Sequence, residues 1–278
     1  MIEVKDRIPT YPGRVKLIPV AGQANTYDLV RADEPIEAGT PINRALFQSL
    51  LADIDAIRQQ VDDKIFELSQ RVRIGDLTVG SVFGLYENGV LVPFIKLANQ
   101  YENNTGVLVI RKNCVTTATL TDAGEYHYAN CKTDRWLNNV YITRLDQATQ
   151  SVIPDTAFQT LSANGIGKTT RKVVLPSLTE YQMISYYGIP SEGESISYFS
   201  TAARRIAMLN GTPTNHWTRS LDGLSDNAAY ITTNGGHEIG SPGNMVAGIR
   251  PMFTLPAYFE VTAGEPSQEN VMATAEVL

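Results

Sequence analysis

The chain has 278 residues, 43% of them apolar and 19% charged, and its formal net charge is −6. Nucleic-acid binding needs clustered positive charge to displace counterions, and no Lys- and Arg-rich run occurs, so we expect no nucleic-acid partner. The apolar runs are far shorter than the ~20 residues that span a bilayer, and the first residues lack the apolar core of a secretory signal. We therefore expect no membrane insertion, and synthesis in a cytoplasm.

Residues 1–43 are interrupted by five prolines and lack the pattern of an ordinary domain. These are Pro9, Pro12, Pro19, Pro35 and Pro41. The apolar runs VKLIPV and YDLVRA flank residues 22–25, and this arrangement predicts a β-hairpin. Because so little apolar surface cannot close a core, the segment is predicted to be an extended attachment arm that lies against another chain.

Residues 44–74 are predicted to form one long amphipathic helix, with Asn43 as its N-cap and no Gly or Pro before Gly75. Its apolar stripe consists of Leu50, Ile54, Ile57, Val61, Ile65, Leu68 and Val72. The spacing follows an 11-residue repeat, and the β-branched residues favour more than two strands. We predict an oligomerising coiled coil of three copies. The alternative is a helix that packs on its own domain.

From Gly75 onward, short alternating segments predict mainly strands. Residues 87–89, Glu-Asn-Gly, give a strong hairpin signal, and TGVLVIRKNCV predicts a further strand. DRWLNNVYITRL predicts a helix with its apolar residues on one side. Towards the end, HWTRSL, AAYITTNGG, NMVAGIRPMFTLP and YFEVT predict short strands, and residues 263–278 form a polar tail.

Motifs for cofactor chemistry are incomplete. GIGKTT at 165–170 lacks the first glycine of a phosphate-binding loop, because position 162 is a serine. His127, His216 and His237 are scattered, and Cys114 and Cys131 have no histidine near them, so no metal site is expected. A calcium site among the loop acids is the alternative to their serving solubility. Those acids are Glu192, Glu194, Asp222, Asp226 and Glu238.

The segment 215–246 is rich in amides, acids and aromatic side chains. Such groups suit hydroxyl-rich ligands, because they combine paired hydrogen bonds with a stacking face. The candidate ligand-binding residues are His216, Asp222, Asp226, Asn227, Tyr230, Asn234, His237 and Asn244. The alternative is that Asn and Gly merely shape turns here.

The N-terminal run resembles a leader of known phage proteins. TYPGRVKLIPVAGQANTYDLVRADEPIEAGTPINRALF, at about residues 10–47, is similar to the leader of tail and tail-fibre proteins of phages that infect Gram-positive bacteria. Its distinctive parts are YPGRVKL, ANTYD and RADEP–GTP. The resemblance implies a virion protein whose partners are its own copies and other tail or baseplate proteins.

A second resemblance covers about residues 77–262. VPFIKLAN, LVIRKN, RWLNNVY, KVVLPSLTEY, HWTRS and GIRPMFTL resemble, in this order, a domain of phage and gut-bacterial surface proteins. That domain is related to the formylglycine-generating-enzyme and C-type-lectin-like fold. The resemblance implies that Trp217, Arg219 and Arg250 are structural, on neighbouring core strands, and that 221–246 is a variable recognition loop. The enzyme's late cysteines and the calcium-dependent sugar motifs of lectins are both missing.

These observations predict an α+β chain with four parts. An extended arm (1–43) precedes a coiled-coil helix (44–74), a C-type-lectin-like mixed head (75–262) and a tail (263–278). The expected function is that of a trimeric tail fibre or baseplate protein, without enzymatic activity or cofactors, whose head attaches to host cell-wall carbohydrate. The alternatives are a tail spacer that binds no receptor, a glycan-degrading enzyme with paired carboxylates, and a bacterial surface lectin.

Overall fold

The computed structural model describes residues 8–9, 15–31, 35–37, 44–69, 71–102, 106–162, 165–183, 189–222 and 227–264. The predicted N-cap Asn43, the candidate ligand Asp226 and most of the predicted tail lie outside these residues. The chain divides into two compact units, Met1–Ser69 and Gln70–Leu278. Within the described residues, no helix is both long and apolar enough to span a membrane.

The first unit contains two small antiparallel sheets and a helix. Its elements are β1 (Ile8–Pro9), β2 (Val15–Pro19), β3 (Tyr27–Arg31), β4 (Pro35–Glu37) and α1 (Arg44–Ser69). β1 pairs with β4, and β2 pairs with β3. The hairpin predicted from VKLIPV and YDLVRA is confirmed, with Val15 opposite Arg31 and Pro19 opposite Tyr27.

The second unit, Gln70–Leu278, holds the remaining elements. In chain order its strands are β5 (Arg71–Arg73), β6 (Val82–Glu87), β7 (Val90–Ala98), β8 (Val107–Arg111), β9 (Thr116–Ala118), β10 (Thr156–Ser162), β11 (Gly165–Arg171), β12 (Val173–Val174), β13 (Met208–Leu209), β14 (Thr212–Pro213), β15 (His216–Leu221), β16 (Ala228–Ile231), β17 (His237–Gly240), β18 (Ala247–Ile249), β19 (Met252–Leu255) and β20 (Glu260–Ala263). Its helices are α2 (Lys132–Asn139), α3 (Gln147–Val152) and α4 (Ala202–Arg205), with 3₁₀ turns at Ile74–Asp76, Tyr141–Arg144 and Ser197–Phe199.

Two sheets organise this second unit. A seven-stranded sheet has the order β12-β19-β8-β7-β6-β20-β5, with antiparallel neighbours throughout. A five-stranded sheet has the order β17-β16-β15-β18-β9, in which only β15 and β18 run parallel. β10–β11 and β13–β14 are separate hairpins.

The α+β prediction, with its coiled-coil arm and C-type-lectin-like mixed head, is wrong. Strands make up 37% and helices 23% of the structure, which is β-rich and has no extended coiled-coil arm among the described residues. The helix predicted over 44–74 ends at Ser69. Val72 continues the helical spacing but lies in β5, where it pairs with Val261 of β20. Pairing with a distant strand therefore overrides the local helical pattern, and Val72 is not part of a helical stripe.

Several local predictions are confirmed. β6 and β7 are joined by Asn88 and Gly89, whose φ angles of 50° and 78° fit the two-residue turn that matches strand twist. The segment DRWLNNVYITRL forms α2 and the 3₁₀ turn Tyr141–Arg144, with Trp136 and Leu137 buried. GIGKTT lies in strand β11 of a hairpin, so it does not form a phosphate-binding loop.

The core of the second unit lies along β8 and its neighbours. All five side chains of β8 are buried, so the sheet is covered on both faces at this strand. Phe94 of β7 contacts Phe83 and Phe253, with ring centroids 6.1 and 5.6 Å apart. The packing joins residues far apart in the chain, and the buried apolar cluster of the described residues lies in this unit.

Candidate functional site

His216 is buried rather than exposed to ligand. Its Nε2 lies 3.1 Å from the Tyr181 hydroxyl, and its Nδ1 lies 3.2 Å from the Thr214 carbonyl oxygen. Burial, together with the nearby Arg250, lowers the pKa of His216 to about 3. The ring is therefore neutral at physiological pH and belongs to the core.

Other predicted ligand residues also make internal contacts. The Tyr230 ring packs edge-on against Trp217, with centroids 5.8 Å apart, and its hydroxyl donates to Glu238 at 2.6 Å. Asn227 donates to the Asp222 carboxylate at 3.3 Å. These contacts join β15, β16 and β17, so the predicted loop 221–246 instead contributes two strands to the sheet.

The exposed members of the predicted set shape turns. Asn234 accepts hydrogen bonds from the Thr232 hydroxyl at 2.6 Å and the Gly236 N–H at 3.0 Å. Asn244 donates to the Ser241 hydroxyl at 3.0 Å. His237 is half-buried. Burial lowers its pKa, and the positive charge of Arg205 lowers it further. The structure gathers none of these residues around either of its two described cavities, so the turn-shaping alternative accounts for them better.

Trp217, Arg219 and Arg250 are all buried. The Trp217 indole N–H donates to the Ala118 carbonyl at 3.0 Å and links β15 to β9. Arg250 donates to the Arg111 carbonyl at 3.0 Å and lies over the Phe199 ring. β15 and β18 are neighbours, as the resemblance implies, with His216 opposite Gly248.

Arg219 lies at the centre of a buried charge network. Its guanidinium donates to both Glu180 carboxylate oxygens, at 2.5 and 2.7 Å. The Tyr101 hydroxyl also donates to Glu180. Glu192 accepts from the Ser220 hydroxyl and the Leu161 N–H, each at 2.6 Å. Burial raises the pKa of Glu192 to about 7, against the opposing effect of Arg219.

This network explains why Glu192 is not a solvated loop acid. Its carboxylate is fully buried and its acceptors are already used, so it neither serves solubility nor offers a calcium ligand. Among the described residues, no three His, Cys, Asp or Glu side chains converge on a possible metal position. Cys114 and Cys131 are buried free thiols, and burial raises the pKa of each.

A polar groove of about 340 Å³ lies between α2 and β11. It is lined by Asn130, Asp134, Arg135, Asn138, Asn139, Asp155, Thr170, Arg171 and Lys172. Arg171 Nε donates to both Asp134 oxygens, at 2.8 and 3.0 Å, and Asn138 links Asp134 to Val173. The negative charge of Asp134 is thus neutralised by Arg171. The groove is better suited to fixing α2 against β11 than to acid–base chemistry. Asp134 and Arg171 lie 37 residues apart, so no local sequence pattern indicates this groove.

Most of the large apolar side chains that are exposed among the described residues lie in the first unit. On one face of the β2–β3 hairpin, the register brings together Val15, Leu17, Leu29 and Tyr27, each more than half exposed. Along α1, the exposed apolar side chains include Leu50, Ile54, Ile57, Val61, Ile65 and Leu68. Leu46 is the only buried apolar side chain among the described residues of this unit. We call these exposed side chains the assembly surface.

The second unit is thus a β-rich domain with two main sheets and a buried ion-pair network at β15. The chain belongs to the family described as "Domain of unknown function (DUF6273)", which matches residues 104–257 and so covers more than half of the chain. The matched range runs from the start of β8 to the end of β19 and includes Trp217, Arg219 and Arg250. No curated protein and no solved structure matches the chain.

Proposed function

We propose that this chain is a non-enzymatic structural protein of a bacteriophage tail. In this proposal the first unit assembles with other tail proteins and with two further copies of the chain, and the second unit is displayed for attachment to the host surface. The observation that carries the proposal is the assembly surface, because it is large and apolar, and Leu46 is the only buried apolar side chain among the described residues of this unit. The leader resemblance over residues 10–47 supports a place in the tail.

The β2–β3 hairpin is the part of the assembly surface that most needs a partner. An isolated two-stranded hairpin is marginally stable at best in water. The four apolar side chains on the face with Leu17 are between 52% and 69% exposed, so burial of each gains roughly half of the about 1.5–3 kcal/mol of a fully exposed side chain. Burial against another chain therefore stabilises both the hairpin and the assembly.

The self-association test compares two faces of this hairpin. We expect sedimentation of the purified chain to give the mass of three copies. Leu17→Glu combined with Leu29→Glu places charge on the apolar face and is expected to give a monomer. Lys16→Glu introduces the same side chain on the opposite face and is the matched control, which is expected to keep the wild-type mass. A wild-type monomer at micromolar concentration would contradict self-association.

Location in the particle is a separate test. Electron microscopy of phage particles labelled with antibodies against the second unit is expected to show label on the tail. A particle preparation that contains the chain without tail labelling, or lacks the chain altogether, would contradict the proposal.

A further inference from the structure

A cleft in the second unit lies where β6 changes its neighbour. β20 pairs with β6 at Gly84 and Phe83. At the other end of β6, Glu87 bridges to Leu145, and the Asp146 N–H donates to the Tyr86 carbonyl. Between these two attachments the neighbouring chains diverge and leave a cavity of about 320 Å³. We call it the tyrosine cleft; its walls include Arg71, Tyr86, Asp146, Tyr258, Glu260 and Thr262.

The Tyr258 side chain at this cleft is 69% exposed, the largest exposed fraction among the large apolar and aromatic side chains described in this unit. The backbone that carries it is held on both sides, since Gly75 donates to the Ala257 carbonyl and Ile74 donates to the Phe259 carbonyl, each at 2.8 Å. An exposed ring on an anchored backbone adds little to the core, yet it presents an aromatic face to solvent at low entropic cost.

Lys96 stabilises the backbone at residues 74–77, to which the segment carrying Tyr258 is hydrogen-bonded. It is fully buried, and its Nζ donates to the carbonyls of Ile74, Gly75 and Leu77, at 2.9, 2.9 and 2.5 Å. A side chain at position 75 would meet the Ala257 carbonyl oxygen at 2.8 Å, so Gly75 permits the close approach of the two segments. The position of Tyr258 is therefore set by buried contacts.

Polar side chains flank the Tyr258 ring. Glu260 and Thr262 are two residues apart on β20 and project to the same face, and Arg71 lies directly opposite Thr262 on β5. The alternate residue Val261 faces the core and is buried. A carboxylate, a hydroxyl and a guanidinium thus lie beside an aromatic face.

We propose that the tyrosine cleft binds a sugar ring of a neutral bacterial surface polysaccharide. The Tyr258 ring packs against the apolar face of the sugar, and Glu260, Thr262 and Arg71 bond to its hydroxyl groups. This inference rests on the proposed attachment function and names its site and ligand class. The cavity is near the small end of ligand sites, which span about 300–1,000 Å³, and so fits one or two sugar rings.

The charge of the cleft favours a neutral ligand over an anionic one. Its walls carry Arg71 against the two carboxylates of Asp146 and Glu260, and Arg73 lies directly opposite Glu260 on β5, so the charges balance. Asp146 is already engaged, because it accepts from the N–H and the hydroxyl of Thr149, at 3.0 and 2.6 Å. A phosphodiester polymer such as teichoic acid would therefore find no net positive charge to bind. The polar groove at α2 is the poorer candidate because no aromatic side chain lines it.

The test measures binding of the full-length chain to immobilised, purified bacterial surface polymers. Neutral polysaccharides form one arm, and teichoic acids form the other. We expect binding to at least one neutral polysaccharide. Tyr258→Ala is expected to weaken that binding about tenfold, the loss that corresponds to one stacked ring. Glu260→Gln is also expected to weaken it. Tyr126→Ala removes another exposed tyrosine that does not line the cleft and is expected to bind like the wild type.

The outcomes separate the cleft from the proposed function. A Tyr258→Ala chain with wild-type affinity overturns the assignment of the site. Binding to no neutral polysaccharide, or only to teichoic acids, overturns the ligand class. Either result leaves the tail location intact, because that is measured on particles. Matching thermal unfolding curves for Tyr258→Ala and the wild type show that the loss is one of binding and not of folding.

Discussion

Arg219 and Glu180 are the residues on which the interior of the second unit depends most. Both are fully buried, and their ion pair joins β15 to the segment before Glu192. Removing one partner of such a pair leaves an uncompensated buried charge, which typically costs about 3–5 kcal/mol. We expect Glu180→Ala to lower the free energy of unfolding by an amount in this range, as measured by urea denaturation.

Arg135 offers a matched control for that prediction. It pairs with Asp122 and Glu125 at 3.0 and 2.8 Å, but about half of its side chain is exposed. Solvent screens such pairs, so Arg135→Ala is expected to leave the unfolding midpoint nearly unchanged. Equal losses in Glu180→Ala and Arg135→Ala would count against a special role for the buried pair.

Glu192 and His216 make opposite contributions to the pH dependence of stability. The pKa of Glu192 is about 7 in the folded chain, against a usual 4.5, so the folded state keeps a proton that the unfolded chain releases. The contribution of Glu192 to the free energy of unfolding therefore falls as pH rises from 4.5 to about 7. The pKa of His216 is about 3, against a usual 6.5, so the unfolded chain takes up a proton that the folded state refuses. The contribution of His216 to the free energy of unfolding therefore falls as pH drops from 6.5 towards 3.

Single substitutions are expected to separate these two effects. Relative to the wild type, Glu192→Gln should gain stability as pH rises from 4.5 to 7, because glutamine has no proton to release when the chain unfolds. His216→Asn should gain stability relative to the wild type as pH falls from 6.5 towards 3. Urea unfolding at a series of pH values measures both differences. Curves that run parallel to the wild type would mean that neither group titrates as described.

At the scale of elements, the β6–β7 hairpin depends on a turn residue with positive φ. Gly89 has a φ of 78°, a conformation that costs an L side chain roughly 1–2 kcal/mol. Gly89→Ala is therefore expected to destabilise the chain by about that amount in urea unfolding. Gly167→Ala in β11 is the control, because its nearest neighbour would be the Ser162 hydroxyl at 3.9 Å. Equal effects at the two positions would contradict the turn argument.

The elements that sequence analysis predicted correctly are those with local signals. Asn88-Gly89 encodes its turn, and the apolar spacing around Trp136 encodes α2. The end of α1 could not be predicted in this way, because Val72 keeps the helical period while its backbone pairs with Val261. Only knowledge of the partner strand, almost two hundred residues away, distinguishes the two outcomes.

At the scale of the whole molecule, the burial or exposure of several side chains depends on pairing between distant segments, which the sequence does not show. His216 and Glu192 are polar residues near glycines, which made them resemble exposed loop residues, yet both are buried by partners from other strands. Tyr258 lies in the turn between β19 and β20, and a lone tyrosine at such a position has no distinctive local pattern. Its exposure becomes visible only once β5, β6 and β20 are assembled.

The Lys96 contacts also have a mechanical consequence. In the proposed attachment function, a chain that is fastened at one end and bound to a cell at the other is pulled, and tension that enters the second unit from its N-terminal side reaches β5 first. β5 is a three-residue edge strand, and its neighbour in the sheet is β20. The load then falls on the carbonyls of Ile74, Gly75 and Leu77, which are held together by one buried ammonium group. Lys96 lies on β7, a central strand of the seven-stranded sheet, so it would pass the pull directly to the core strands of the second unit.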